Sequence, residues 1–287
     1  MNKRLPAIIS TVSNSFCDFT LDFAVNKYNT YLILFGTALG SFLIQLIYGI
    51  INGIVITPSS IIYIIIYGVC MLCGYVLYVH SLKRLPVALT GLIESGNLFA
   101  YLLIDFFCGY LKINLWFIFL FICFMFSVFF FSYDTYQHKD NNGTKKIRFS
   151  GIIILLFSML FYGLEPYLIQ FASSSGANEV GINMGYYLFS IPYFLLMMLK
   201  SKAIINNQKQ SGSIKFILLI SIFEAIYYLF GTMGYANETA IINAIIQEIR
   251  VFLLFILSVL FGTDKMSLKK LFSIIIGILS VIGIYLY

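Results

Sequence analysis

Ten apolar stretches of about twenty residues follow one another along this sequence, and short polar or turn-forming breaks separate them. A bilayer core of about 30 Å requires roughly 20 apolar residues in each helix that crosses it. Only 10% of the 287 residues are charged. The ten stretches together leave almost no residues for a soluble domain. We therefore predict an all-α integral membrane protein of ten transmembrane helices, at residues 5–26, 31–52, 60–81, 86–108, 113–134, 149–172, 180–199, 214–236, 239–261 and 267–287.

The first stretch follows Lys3 and Arg4, as the apolar part of a signal peptide would. Serine, asparagine and two aspartates break its apolar run, and no small-residue cleavage site follows it. We therefore expect this stretch to be a transmembrane span.

The longest polar segment runs from Tyr133 to Arg148 and separates five spans from five. A shift of 153 positions, without a gap, places Gly109 and Lys112 on Gly262 and Lys265, so both halves contain a G-x-x-K turn. Because five is an odd number, the second half must cross the membrane in the opposite sense to the first. We predict two inverted repeats, which in transporters enclose a substrate site near the midplane. The predicted boundaries are 1–135 for the first five-helix repeat, 136–148 for the polar linker loop and 149–287 for the second five-helix repeat.

Several features of the chain occur together in one known group of proteins. They are the two five-span halves, a short polar first span, the segment LPVAL (Leu85 to Leu89) and the glycine-led turns GYLK and GTDK. In these features the chain resembles the EamA-type drug/metabolite transporter superfamily, although members of that group often have Gly-Glu in the turn. The resemblance implies a ten-helix transporter that works by alternating access. It leaves the substrate open, because members carry amino acids, nucleotide-type metabolites, quaternary amines and drugs.

The loop charges bear on the orientation in the cell membrane. Fourteen Lys and Arg residues follow odd-numbered spans, whereas three lie on the other side of the membrane. The positive-inside rule then places both termini outside the cytoplasm, and the family resemblance places them inside. We follow the charge count, because charge sets orientation while an inverted repeat is nearly symmetric.

Charged residues occur deep within the predicted spans, where each costs about 2.5 to 3.5 kcal/mol and normally faces a bundle interior or a wet cavity. Asp18 and Asp22 share one helix face at spacing i, i+4. Glu248 and Arg250 point to nearly opposite sides of their helix and cannot pair with each other. We expect Glu248 to face a central cavity, and Arg250 to be either its counterweight through a neighbouring helix or a ligand for a substrate carboxylate. The candidate substrate-binding residues are Asp18, Asp22, Glu94, Glu165, Glu224, Tyr227, Glu248 and Arg250.

An excess of acids favours a cationic ligand, such as a proton, an amine or the amino end of a zwitterion. Burial raises the pKa of carboxyl groups, which makes Glu224 and Glu248 the candidates for proton coupling. Tyr227 and its neighbours offer π faces to a cation. Pro166 and Pro192 are expected to bend spans six and seven or to free carbonyl groups there. The alternative for each acid is a structural role, neutral and hydrogen-bonded between helices.

We predict a secondary transporter that moves a small polar, cationic or amine-bearing (including zwitterionic) metabolite or drug by alternating access, with proton coupling left open. The alternative is a membrane-embedded binding or assembly subunit without autonomous transport. The chain has no H-E-x-x-H, P-loop or G-x-S-x-G motif, so we predict no enzyme, no metal and no cofactor. The expected partners are the lipid bilayer and a small-molecule substrate, without nucleic acid, and the sequence leaves monomer and homodimer open.

Overall fold

A computed structural model describes residues 5–97, 99, 115–137, 147–201, 212–236 and 240–285. All regular secondary structure in these residues is helical. Eleven helices occur in them, in the order α1 (Leu5–Lys27), α2 (Thr30–Asn52), α3 (Ile61–Leu82), α4 (Val87–Glu94), α5 (Leu115–Gln137), α6 (Phe149–Tyr162), α7 (Glu165–Ser174), α8 (Glu179–Lys200), α9 (Ser213–Ala236), α10 (Ala240–Leu260) and α11 (Leu268–Tyr285).

Six stretches of the described residues are long and apolar enough to cross a membrane. They are Thr30–Asn52, Ile61–Leu82, Leu115–Thr135, Phe149–Ser174, Glu179–Lys200 and Ser213–Ala236, and each falls on a predicted span. This supports a multi-pass membrane protein, while the total of ten spans and the inverted repeat stay predictions. Gly109 and Lys112 of the predicted repeat turn lie outside the described residues.

Helix α1 has its apolar side outward and its polar side inward, as expected of a helix in lipid. Its exposed residues include Ile8, Val12, Phe16 and Phe23, which follow one helical stripe. Its buried residues include many polar ones, among them Ser10, Thr11, Asn14, Asp18 and Asp22. The polar face of α1 therefore belongs to the interior of the protein.

The sixth predicted span is interrupted between α6 and α7. Gly163 and Leu164 keep right-handed helical angles, but the regular hydrogen bonding stops there. Pro166 follows in the first turn of α7, and proline has no N–H to donate to the carbonyl of Tyr162 four residues earlier. The break confirms the expectation for Pro166, whereas α8 continues through Pro192 from Glu179 to Lys200.

The described chain forms two compact units. The first comprises Met1–Cys73 and Leu164–Asn243, and the second comprises Gly74–Gly163 and Ala244–Tyr287. Each unit therefore draws on both predicted repeats.

The first unit is built on contacts of α1 with α9, and of α2 with α8 and α9. Phe16 of α1 stacks on Phe223 of α9 with ring centroids 5.3 Å apart. Gly40 of α2 lies so close to α9 that an added Cβ would collide with the side chain of Ser221. Asn178, the N-cap of α8, donates to the carbonyl of Gly53 after the end of α2 at 2.9 Å. These contacts hold the central parts of α1, α2, α8 and α9 together.

In the second unit, α5 packs along α11, and α4 packs against α5 and α6. Gly262 follows α10 with φ +70°, a left-handed conformation that glycine adopts without steric cost. After this turn Lys270 is buried and forms an ion pair with Asp264. Lys270 also lies 5.4 Å from the centre of the Phe131 ring. Lys270 is one of the fourteen basic residues that were counted after odd-numbered spans. In the structure it is part of a packed cluster.

Candidate functional site

Glu224 occupies the middle of α9 and is only 2% exposed. Its Oε2 accepts a 2.8 Å hydrogen bond from Ser41 Oγ, at the middle of α2. Its Oε1 is buried and has no hydrogen-bond partner among the residues that the structure describes. One oxygen of this carboxyl group is therefore available for a ligand or a proton.

Asp18 brings a second carboxyl group to this region from α1. It is 5% exposed and interacts electrostatically with Glu224. Asp22 lies one turn further along α1 and is also buried, and its Oδ1 accepts a 3.1 Å hydrogen bond from Asn26. The structure thus associates Asp18 with Glu224, and we call Glu224, Ser41 and Asp18 the acidic site.

A network of neutral polar side chains, here called the amide network, lies in the same unit. Asn183 of α8 donates to Gln45 Oε1 at 3.1 Å and accepts from Thr232 at 2.8 Å. Tyr67 also donates to Asn183 Oδ1, at 3.4 Å, and Gln45 Nε2 donates to the hydroxyl of Tyr187 at 3.0 Å. All five side chains are buried, so the network satisfies polar groups that would be costly in an apolar interior.

Tyrosine rings cover this polar interior. Tyr186, Tyr187 and Tyr228 form a cluster in which Tyr186 lies 5.2 Å from Tyr187 and 5.1 Å from Tyr228. Tyr227, predicted as a substrate contact, is half-buried and lies 4.9 Å from Tyr228. Tyr187 interacts electrostatically with Glu224, so the cluster adjoins the acidic site. Aromatic faces beside a carboxylate form an environment suited to an ammonium group.

Glu165 is half-buried in the first turn of α7. The positive end of the helix dipole stabilises a carboxylate at this place. Glu165 also interacts electrostatically with Tyr67 of the amide network. Its contribution to the helix terminus is enough to explain an acid at this position.

Glu94 and Arg250 form an ion pair in the second unit. Arg250 Nη2 donates to Glu94 Oε2 at 2.7 Å. The side chain of Arg250 is 12% exposed and that of Glu94 is 9% exposed. Arg250 occupies the middle of α10 and Glu94 ends α4. From the sequence we expected Arg250 to be either the counterweight of Glu248 through a neighbouring helix or a ligand for a substrate carboxylate, and we did not identify Glu94 as its partner. The side chain of Glu248 lies outside the described part of the structure.

The sequence analysis missed the amide network because it searched for charges. A signal was present in the second span, where Thr37, Ser41 and Gln45 recur every four residues and so lie on one helix face. All three side chains are buried. Neutral polar residues at helical spacing in an apolar stretch would therefore have indicated the inward face of α2.

Comparison with known proteins identifies a family domain in the second half of the chain. Residues 149–286 match the model of the EamA-like transporter family. Among curated proteins, no significant match to the chain is found. The fold is similar to that of a protein known from a crystal structure, with 12% identity, a TM-score of 0.65 and coverage of 98% of this chain and 96% of that chain. Residues 149–286 therefore carry an EamA domain, which is the domain of the drug/metabolite transporter superfamily.

Proposed function

We propose that the protein is a secondary transporter for small amine-bearing solutes, including zwitterions, and that Glu224 binds the ammonium group. The EamA domain at residues 149–286 supports a membrane transporter rather than an enzyme. The substrate class, the coupling to protons and alternating access are our proposals.

The free oxygen of Glu224 is the observation that carries the proposal. An acid that only joined helices would be expected to have both carboxyl oxygens in hydrogen bonds, because an unsatisfied buried oxygen costs about 1 to 3 kcal/mol. Glu224 Oε1 has no such partner within the described residues, and no lysine, arginine or histidine among them forms an ion pair with Glu224. A ligand cation or a proton would supply the missing partner.

The surroundings of Glu224 support a cation rather than an anion. Asp18 adds negative charge, and the tyrosine cluster adds electron-rich ring faces. Arg250, the deep base of the second unit, already binds Glu94 at 2.7 Å.

A buried carboxylate without a countercharge is unfavourable in a low-dielectric interior, so Glu224 must exchange one positive partner for another. We propose that a proton replaces the ammonium group when the substrate leaves. Transport would then be an exchange of an amine for a proton, with alternating access of the site to the two sides of the membrane.

Reconstitution into liposomes tests this function. In acidified liposomes that contain the purified protein, a primary amine added outside should exchange for internal protons. A pH-sensitive dye trapped inside measures the resulting rise in internal pH. Because amines also cross bilayers as neutral bases, protein-free liposomes give the background rate. Glu224→Gln should reduce the protein-dependent rate at least about tenfold, as expected when a hydrogen bond to a charged group is lost. The matched control is Glu179→Gln, which removes the same charge at the half-buried start of α8.

Two outcomes would contradict the proposal. Equal rates for Glu224→Gln and the unchanged protein, with both variants folded, would remove Glu224 from the mechanism. A thermal shift with amines but no flux of any amine would favour the alternative of a membrane-embedded binding or assembly subunit.

A further inference from the structure

An apolar groove lies on the first unit, along α2, α3 and α8. Its volume is about 580 Å³, and its lining residues include Phe42, Ile64, Met184, Tyr187, Leu188 and Ile191. Leu188 is 63% exposed, and all three helices are among the candidate membrane spans. On membrane-spanning helices such a groove suits a hydrocarbon chain, because the side chains that line it are apolar apart from Tyr187.

Tyr187 connects the groove with the polar interior. Its ring lines the groove, while its hydroxyl accepts the 3.0 Å hydrogen bond from Gln45. It also interacts electrostatically with Glu224 and belongs to the tyrosine cluster. A molecule in the groove therefore contacts the side chain that borders the acidic site.

The depth of this contact is close to the middle of the membrane. Tyr187 lies eight residues after Glu179, the first residue of α8, which corresponds to about 12 Å along the helix. Half of the bilayer core is about 15 Å thick. Glu224 and Ser41 occupy the middles of their own helices. The groove also extends past Ile56 and Ile61, which lie next to the connection between α2 and α3, and past Ile191 and Pro192, further along α8 than Tyr187.

We propose that this groove binds the hydrocarbon substituent of the transported amine, which enters sideways from the bilayer. The inference rests on the proposed function and narrows the substrate to amines with an apolar chain. A phospholipid chain is the less suitable occupant, because it would bring only uncharged methylene and methyl groups to Tyr187, which borders the acidic site. An alkylamine can place its ammonium group beside Tyr187 and its chain along the apolar lining.

The test compares primary n-alkylamines from ethylamine to octylamine in the liposome assay. Each methylene that the groove covers should raise the apparent affinity roughly threefold to fourfold. Longer amines also partition into the bilayer, so the decisive comparison is between variants in liposomes of one composition. Leu188→Trp fills the groove, and Leu196→Trp is the matched control because Leu196 lies on the same helix, is 58% exposed and does not line the groove.

We expect Leu188→Trp to weaken the apparent affinity for octylamine about tenfold, the equivalent of nearly two methylene groups. The apparent affinity for ethylamine should stay unchanged. Leu196→Trp should behave as the unchanged protein with both amines. If Leu188→Trp had the same effect on both amines, or none, the proposal that the groove binds the hydrocarbon chain would be overturned. The proposed function would remain intact. Failure of the proposed function is distinguishable, since ethylamine would then show no exchange that depends on Glu224.

Fluorescence distinguishes substrate from lipid in the groove. The chain has a single tryptophan, Trp116, so Phe42→Trp in a Trp116→Phe background reports on the groove, because Phe42 lines it and the replacement is another aromatic ring. Brominated phospholipid should quench this fluorescence, and octylamine should relieve the quenching more than ethylamine does. Quenching that octylamine leaves unchanged would assign the groove to lipid and overturn the proposal.

Discussion

Arg250 and Glu94 are 156 residues apart in the sequence and form a 2.7 Å ion pair. The pair joins the helices of the fourth and ninth predicted spans, which the predicted repeat treats as equivalent. Its two charges cancel, so the second unit holds a deep base without a free positive charge. The pair differs in this respect from Glu224, for which no described cation is a partner.

Replacing one residue of this ion pair should destabilise the protein more than replacing both. Arg250→Met leaves Glu94 without its partner, and Glu94→Gln does the reverse, so each single change should cost about 3 kcal/mol. The double variant leaves no uncompensated charge and should be more stable than the sum of the two single effects predicts. Thermal unfolding in detergent measures the three variants. Additive effects would mean that the two side chains do not interact.

The amide network offers a second test that is independent of transport. Asn183→Leu keeps the approximate volume but leaves Gln45 Oε1 without its donor and Thr232 without its acceptor. We expect a loss of about 1 to 2 kcal/mol, the range found for hydrogen bonds between membrane helices. Asn52→Leu is the control, because Asn52 is exposed at the end of α2 and its side chain donates to Tyr48 of its own helix in the described structure. An equal effect of the two substitutions would argue against the network.

The helices could be predicted from the sequence because the bilayer fixes their length. Each of the six membrane-spanning stretches coincides with a predicted window, and Pro166 correctly indicated an irregular sixth span. The burial of Asp18, Asp22, Glu94 and Glu224 was also expected, since lipid does not solvate charge.

The partners of these residues could not be predicted, because they depend on which helices pack together. The sequence gives no rule that pairs Arg250 with Glu94, and it does not indicate that Ser41 donates to Glu224. Hydropathy alone also fails to reveal that each compact unit takes helices from both predicted repeats. Burial of Lys270 was hidden for a related reason, since a lysine near a span end resembles an orientation signal.

Ser41 should affect transport through Glu224. Ser41→Ala removes the 2.8 Å hydrogen bond to Oε2 and leaves the carboxylate poorly positioned for an ammonium group. We expect the KM for amines to rise about tenfold, and Ser41→Thr to restore most of the loss. The control is Ser15→Ala, because the hydrogen bond of the buried Ser15 hydroxyl within the described residues goes to Thr11 of its own helix. An unchanged KM in Ser41→Ala would remove this hydrogen bond from substrate binding.

Lys270 and its neighbour Lys269 provide a comparison within one turn of helix. Lys270 is 2% exposed, pairs with Asp264 and lies over the Phe131 ring, whereas Lys269 is exposed. Lys270→Met leaves the buried carboxyl group of Asp264 without its cation and should cost about 3 kcal/mol, because a lone buried charge is poorly solvated. Lys269→Met should change the free energy of unfolding by less than about 0.5 kcal/mol. Both variants lose one positive charge from the first turn of α11, so a difference in thermal unfolding isolates the effect of burial, and equal stabilities would show that the ion pair contributes nothing.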